Sequence, residues 1–328
     1  DGYTVEITLK QPWFQFLDLL AFEEDLDILS REAYEEWGDD YGFQAAVGTG
    51  PFKLDHWDRG EELVLVRNED YWGAGEEDLP YLDRIVYRPI LEDSSKMLQI
   101  RAGDVDTIFT APFTEVDALR DDPNIVISSV PAGTIHYLGF VNDHPLFDDV
   151  TVRRALNYAI DKQAIVDTIF AGHATVAKGI FPPTLFVSTE DQYYAYDPER
   201  ATELLAEAGY TAENPLEFII LTSNAPLYQD EAVVIQSQLA EIGVQVELMP
   251  LEKAALSEYM FGTAPDPEKR QAELYRYGYT GTFIQDYTYR TFHSEGSLNV
   301  FEYSNPEVDQ KIEESLAATT EEELLETN

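Results

Sequence analysis

Apolar and polar residues alternate with a period of two in several short stretches of this chain. Tyr3, Val5, Ile7 and Leu9 are separated by polar residues, and Phe52 to Trp57 repeats the pattern. Such alternation places one face of an extended segment toward a core, so each stretch predicts a half-buried strand. Glu62–Arg67 is bulky and branched, and Asp58-Arg59-Gly60 separates it from Phe52–Trp57. Glycine reaches positive φ at little steric cost, so this spacing predicts a β-hairpin. Further strands are predicted at Leu82–Ile90, Val105–Ile108, Ile125–Val130, Gly133–Asn142, Leu216–Leu221, Val244–Leu248 and 272–279.

Between these runs the spacing changes to that of helices. Phe14 to Leu29 carries apolar residues at mixed helical intervals, Ser94 is placed to cap a helix ending near Gly103, and Glu115–Leu119 suits a short one. The clearest helix opens at Asp197, with Pro198 at its first position and Gly209 after its end. Aspartate accepts a hydrogen bond from the exposed N–H groups of a first turn, and proline there forfeits no bond. Helices are likewise predicted at Val150–Ile160, at Lys162–Phe170 behind Asp161, at 228–242, at 252–261 and from Pro306 behind Asn305. A helix between Leu216–Leu221 and Val244–Leu248 makes a βαβ unit with parallel strands. Strands alternating with helices define an α/β protein, in which ligands sit beyond the carboxyl ends of strands, marking Phe109 and Thr110 after Val105–Ile108.

At 328 residues the chain is longer than a single core usually grows, so two compact units are expected. Sixty-three acidic residues against 21 basic ones give a formal charge of −42. Nucleic acid and anionic membranes are therefore poor partners. The acids are dispersed and the apolar periodicity survives among them, which separates this chain from a disordered acidic tail. A surface of this kind suits high salt, where the screening length falls to about 3 Å at 1 M. Cysteine is absent, which excludes disulfides and thiolate metal sites. No apolar run approaches the roughly 20 residues of a spanning helix.

Catalytic patterns are weak. Gly48-x-Gly50 lacks the third glycine of a dinucleotide loop and leads into a strand. The histidines at 56, 136, 144, 173 and 293 share no helix-face spacing, and no G-x-S-x-G elbow occurs. Asp104 with Asp106, or Asp230 with Glu231, are pairs from which a carboxylate hydrolase could be built, but among so many acids such pairs arise by chance. Aromatic residues make up 12% of the chain, including 20 tyrosines and four tryptophans. They supply flat faces with polar tips, as ligand clefts use.

Several blocks, in order, carry a family resemblance: GTGPFKL followed by RNEDYWG within Val47–Gly73, PLFDDVTVRRALNYAI from Pro145, DKQAI from Asp161, YDPERATELLAEAGY from Tyr196, QSQLAEIGV from Gln236 and YSNPEVD from Tyr303. This pattern resembles the extracytoplasmic solute-binding proteins of oligopeptide, dipeptide and nickel type that serve ATP-driven (ABC) importers. The resemblance implies a two-lobed, class II periplasmic-binding-protein-like α/β fold of the oligopeptide-binding type, with mixed sheets flanked by helices, truncated at both ends. By it, residues 1–46 are a remnant of an N-terminal subdomain, 47–134 belong to the first lobe, and 135–328 form the second lobe without its C-terminal return.

The same resemblance implies a non-enzymatic monomer with no cofactor and no metal site. It would capture a peptide or similar polar solute in an interlobe cleft and pass it to membrane permease subunits. Its location would be extracytoplasmic, anchored through a segment outside this fragment. The ligand set implied is Phe109, Thr110, Tyr137, Tyr279, Gly281, Thr282 and Asp286. Peptide-binding relatives hold the peptide's amino group with an aspartate at the position of Thr282; here the nearest carboxylate is Asp286. No arginine lies between Leu221 and Gln236, where dipeptide binders hold a carboxylate. Both departures leave a saccharide-binding member of the family as an alternative, with the carboxylate hydrolase as the rival from another class.

Overall fold

A computed structural model describes the chain apart from residues 1–3, 11–12, 15, 18–19, 21–27, 43–44, 75–78, 181–193, 264–265, 279–283, 321 and 324–328. Within its elements the side chains of 267, 275–278 and 284–286 are likewise outside the description. The chain divides into two compact units, Glu23–Ile127 and a larger one made of Asp1–Phe22 with Ser128–Asn328.

The smaller unit begins with helix α1 (Arg31–Trp37), where the Ser30 hydroxyl accepts from Ala33 N. Its sheet is an antiparallel meander of β1 (Phe52–Asp58), β2 (Glu62–Arg67) and β3 (Arg84–Tyr87). The hairpin of β1 and β2 forms as its sequence predicts, with Gly60 at φ 82 in the turn and a bulge between Leu54 and His56. Asn68 closes its base: the side-chain amide donates to Gly50 O and the backbone N to Pro51 O. Helices α2 (Asp93–Ala102) and α3 (Val116–Arg120) follow.

The larger unit is built on the sheet β4-β7-β5-β6, made of β4 (Thr134–Phe140), β5 (Glu217–Ser223), β6 (Gln245–Leu251) and β7 (Ala272–Gly278). Strands β5 and β6 pair in parallel, as do β5 and β7, while β4 pairs antiparallel with β7. One face is covered by α4 (Val150–Ala159), α6 (Pro198–Glu207) and α7 (Pro226–Glu241), which bury Leu156, Leu204, Ile235 and Leu239 against Phe218, Ile220 and Leu274. Fully burying a Leu, Ile or Phe side chain contributes about 1.5–3 kcal/mol each, so this cluster dominates the unit's stability. On the opposite face Leu256 and Tyr259 of α8 (Lys253–Met260) pack on Leu221. The remaining helices are α5 (Lys162–Ile169), α9 (Ile284–Phe292) and α10 (Pro306–Leu316). Asp149, Asp161, Asp197 and Asn305 each cap a helix through the side chain.

Several sequence expectations need correction. Thr4–Leu9, Val105–Ile108 and Ile125–Val130 are not strands. Val5 is 83% and Val126 95% exposed, and among the described residues no strand pairs with these segments. An alternating pattern without a neighbour to take up its N–H and C=O groups does not make a ladder. The strand predicted over Leu82–Ile90 shortens to Arg84–Tyr87, and the helix expected behind Ser94 starts two residues earlier, at Asp93, with Glu92 at the cap position and no side-chain cap bond. Gly103 ends it in left-handed backbone.

Candidate functional site

In the smaller unit Phe109 is 83% exposed and its ring lies parallel to Tyr87 at 6.0 Å between centroids, 8° between planes. Thr110 beside it is exposed. Tyr87 ends β3, so a regular strand anchors a ring against which the loop residue Phe109 rests. An aromatic surface this open offers a stacking face to a flat or apolar group. Sequence reasoning marked Phe109 and passed over Tyr87; the signal was the alternation of Ile85 and Tyr87, which puts both on one face of the strand.

In the larger unit Tyr137 lies in the middle of β4, in register with Tyr275 of β7. The ring of Phe301 meets it edge-on at 5.8 Å. Phe301 also lies over Gly139, where a Cβ would come within 2.3–2.6 Å of its ring carbons. Asn142 fastens this arrangement: its backbone N donates to Phe301 O at 2.8 Å, and its amide donates to both Phe301 O and Phe140 O at 3.0 Å. Tyr137 is thus set at a defined angle by a glycine, a phenylalanine and an asparagine that the sequence alone does not connect.

The neighbouring residue of β4 points to the other face. His136 Nδ1 lies 3.0 Å from a carboxylate oxygen of Glu231, which is 97% buried. Tyr228 stacks on the imidazole at 5.6 Å and 6°, and Phe170 meets it edge-on at 5.3 Å. Tyr228 and Glu231 stand one turn apart near the start of α7, just after the carboxyl end of β5. A buried carboxylate needs a partner of this kind. The pairing of Glu231 with His136, 95 residues away, was not visible from the sequence.

Strand β7 ends at Gly278, paired with Thr134 at the start of β4. Of the residues implied as ligand contacts beyond that end, Tyr279, Gly281 and Thr282 lie outside the described residues, and Asp286 belongs to α9 with its side chain outside the description. Among the described residues no group of three or more His, Cys, Asp or Glu side chains is placed to hold a metal ion. Asp104 and Asp106 lie in the exposed turn after α2. The described residues present aromatic faces at Tyr87 and Phe109 in the smaller unit and at Tyr137 in the larger.

The mixed sheets flanked by helices are those of the periplasmic binding proteins. The structure superposes on the periplasmic binding protein DppA of Helicobacter pylori in complex with the peptide STSA with a TM-score of 0.83 and 26% identity, covering 98% of this chain and 62% of that one. It superposes on NikZ of Campylobacter jejuni in complex with Ni(L-His) with a TM-score of 0.80 and 25% identity, covering 98% and 65%. The chain belongs to the bacterial extracellular solute-binding proteins, family 5, whose middle region it matches over residues 1–310. It is 34% identical over 252 residues to the glutathione-binding protein GsiB of Salmonella paratyphi A, covering 77% of this chain and 48% of that protein's length. The family is one of solute-binding proteins and not of enzymes, which removes the carboxylate-hydrolase reading.

Proposed function

We propose that this protein is the solute-capturing component of an ABC importer and that its ligand is a peptide of di- to oligopeptide size or a peptide-like molecule such as glutathione. The observation that carries this reading is the family match across residues 1–310, joined to a fold shared with a peptide complex and a metal-chelate complex. The proteins compared above are described as binding glutathione, a peptide or a nickel–histidine complex, and the saccharide alternative finds no support in them. The ligand contacts we assign are Phe109, Thr110, Tyr137, Tyr279, Gly281, Thr282 and Asp286. Aromatic faces at Phe109 and Tyr137 take side chains of the solute, and Asp286 stands in for the carboxylate that other peptide binders carry at the position of Thr282. The protein acts outside the cytoplasmic membrane as a monomer, anchored there, and hands its solute to permease subunits.

Mass spectrometry of small molecules released from the purified protein on denaturation tests this directly. A peptide or glutathione-like species is expected, bound stoichiometrically and recovered unchanged. Titration calorimetry with glutathione, dipeptides and longer peptides then ranks the class. A sugar as the released molecule, or turnover of a peptide added in excess, would overturn the proposal.

A further inference from the structure

The larger unit holds a second feature, at the opposite end of β7 from Gly278. A cavity of about 270 Å³ is lined there by Asp143, His144, Tyr259, Gly262, Arg270 and Glu302, among others. At ~30 Å³ per water it has room for about nine waters, enough for a small organic molecule. Thr134 pairs with Gly278 and Phe140 with Ala272. At roughly 3.4 Å per residue the two ends of these strands lie about 20 Å apart, so the cavity is remote from Tyr279 and Thr282.

Its charges are arranged in an unusual way. The Arg270 side chain is only 13% exposed, and its Nε and Nη2 are buried with no hydrogen-bond partner. The remaining nitrogen, Nη1, lies 3.6 Å from Glu302, beyond hydrogen-bond length. Burying Nε and Nη2 without acceptors gives up the hydration of three N–H groups without return. Glu302 is half exposed and held in left-handed backbone at φ 52, and Asp143 is exposed. His144 Nδ1 accepts from Leu146 N at 3.2 Å, which leaves Nε2 as the donor of the neutral ring. The cavity therefore has a cation inside, two carboxylates at its rim and a buried aromatic wall in Tyr259.

We infer that this cavity binds a small zwitterion of the free α-amino-acid type, with its carboxylate on Arg270 and its ammonium between Glu302 and Asp143. The ligand inserts where Arg270 and Glu302 stop short of each other. Its carboxylate supplies the acceptors the guanidinium lacks, and turning the guanidinium brings the Nε and Nη2 edge round as a bidentate fork. Glu302, displaced from Arg270, takes the ammonium instead. A plain anion would meet the two rim carboxylates and a plain cation the guanidinium, so only a molecule with both charges satisfies the set.

L-Alanine is the probe, titrated into the 328-residue chain and followed by calorimetry and by NMR of the ligand. Saturable 1:1 binding is expected, with acetate and methylammonium at least about tenfold weaker, as losing one charged hydrogen-bonding partner entails. Arg270→Gln should abolish binding and the exposed substitution Asp143→Asn should weaken it severalfold. Absence of saturable binding, acetate binding as tightly as L-alanine, or an affinity unmoved by Asp143→Asn in folded protein would each overturn the inference. None of these outcomes bears on peptide capture, which is read separately with peptide as titrant.

Discussion

Replacing Glu273 by Gln should stabilise the protein, and the gain should grow with pH. Glu273 is 1% exposed, with Oε1 buried and unpartnered, and its ladder neighbours Gly139 and Leu221 carry no charge. Burial pushes its carboxyl from the ordinary 4.5 up to about 8, partly opposed by the charge of Arg270. Below pH 4.5 the group is protonated in folded and unfolded chains alike and contributes no pH dependence. Between 4.5 and about 8 the unfolded chain releases the proton while the folded chain keeps it, so stability falls as pH rises. Each pH unit in that interval removes about 1.4 kcal/mol, and the whole interval about 5 kcal/mol at most. Above about 8 both states are ionised and the loss levels off. The assay is urea unfolding followed by far-UV circular dichroism at pH 4, 6 and 8 in molar KCl, comparing Glu273→Gln with the parent at each pH. The difference should be near zero at pH 4 and reach several kcal/mol in favour of Gln at pH 8. A difference that stays constant across this range, or a Gln variant less stable than the parent at pH 8, would refute the reasoning.

Other consequences follow from single contacts. Asp197→Ala removes the side-chain acceptor for Arg200 N and should lower stability by about 1 kcal/mol in the same unfolding assay, with Asp197→Asn close to the parent. Gly139→Ala drives a methyl into the Phe301 ring and should destabilise by about 1–3 kcal/mol, and pairing it with Phe301→Ala should lose less than the two separate changes summed. Because the chain carries a formal charge of −42, its melting temperature should climb between dilute buffer and molar KCl; a flat profile in differential scanning calorimetry would contradict self-repulsion as a destabilising force.

Much of the architecture was legible along the chain because its signals are local. Capping by Asp161, Asp197 and Asn305, proline at the first helical positions, and the hairpin turn at Gly60 involve residues a few positions apart. The blocks around Val47–Gly73, Pro145–Ile160 and Tyr196–Tyr210 carried the family on their own. Strands at Thr4–Leu9, Val105–Ile108 and Ile125–Val130 were misread because alternation reports which face a residue prefers, not whether a neighbouring strand exists. Only the tertiary structure joined Phe109 to Tyr87, Tyr137 to Phe301 and His136 to Glu231, and only it stranded Arg270 and Glu273 without hydrogen bonds. Periodicity is a property of one segment, whereas the environment of a buried charge is made by several segments that meet after folding.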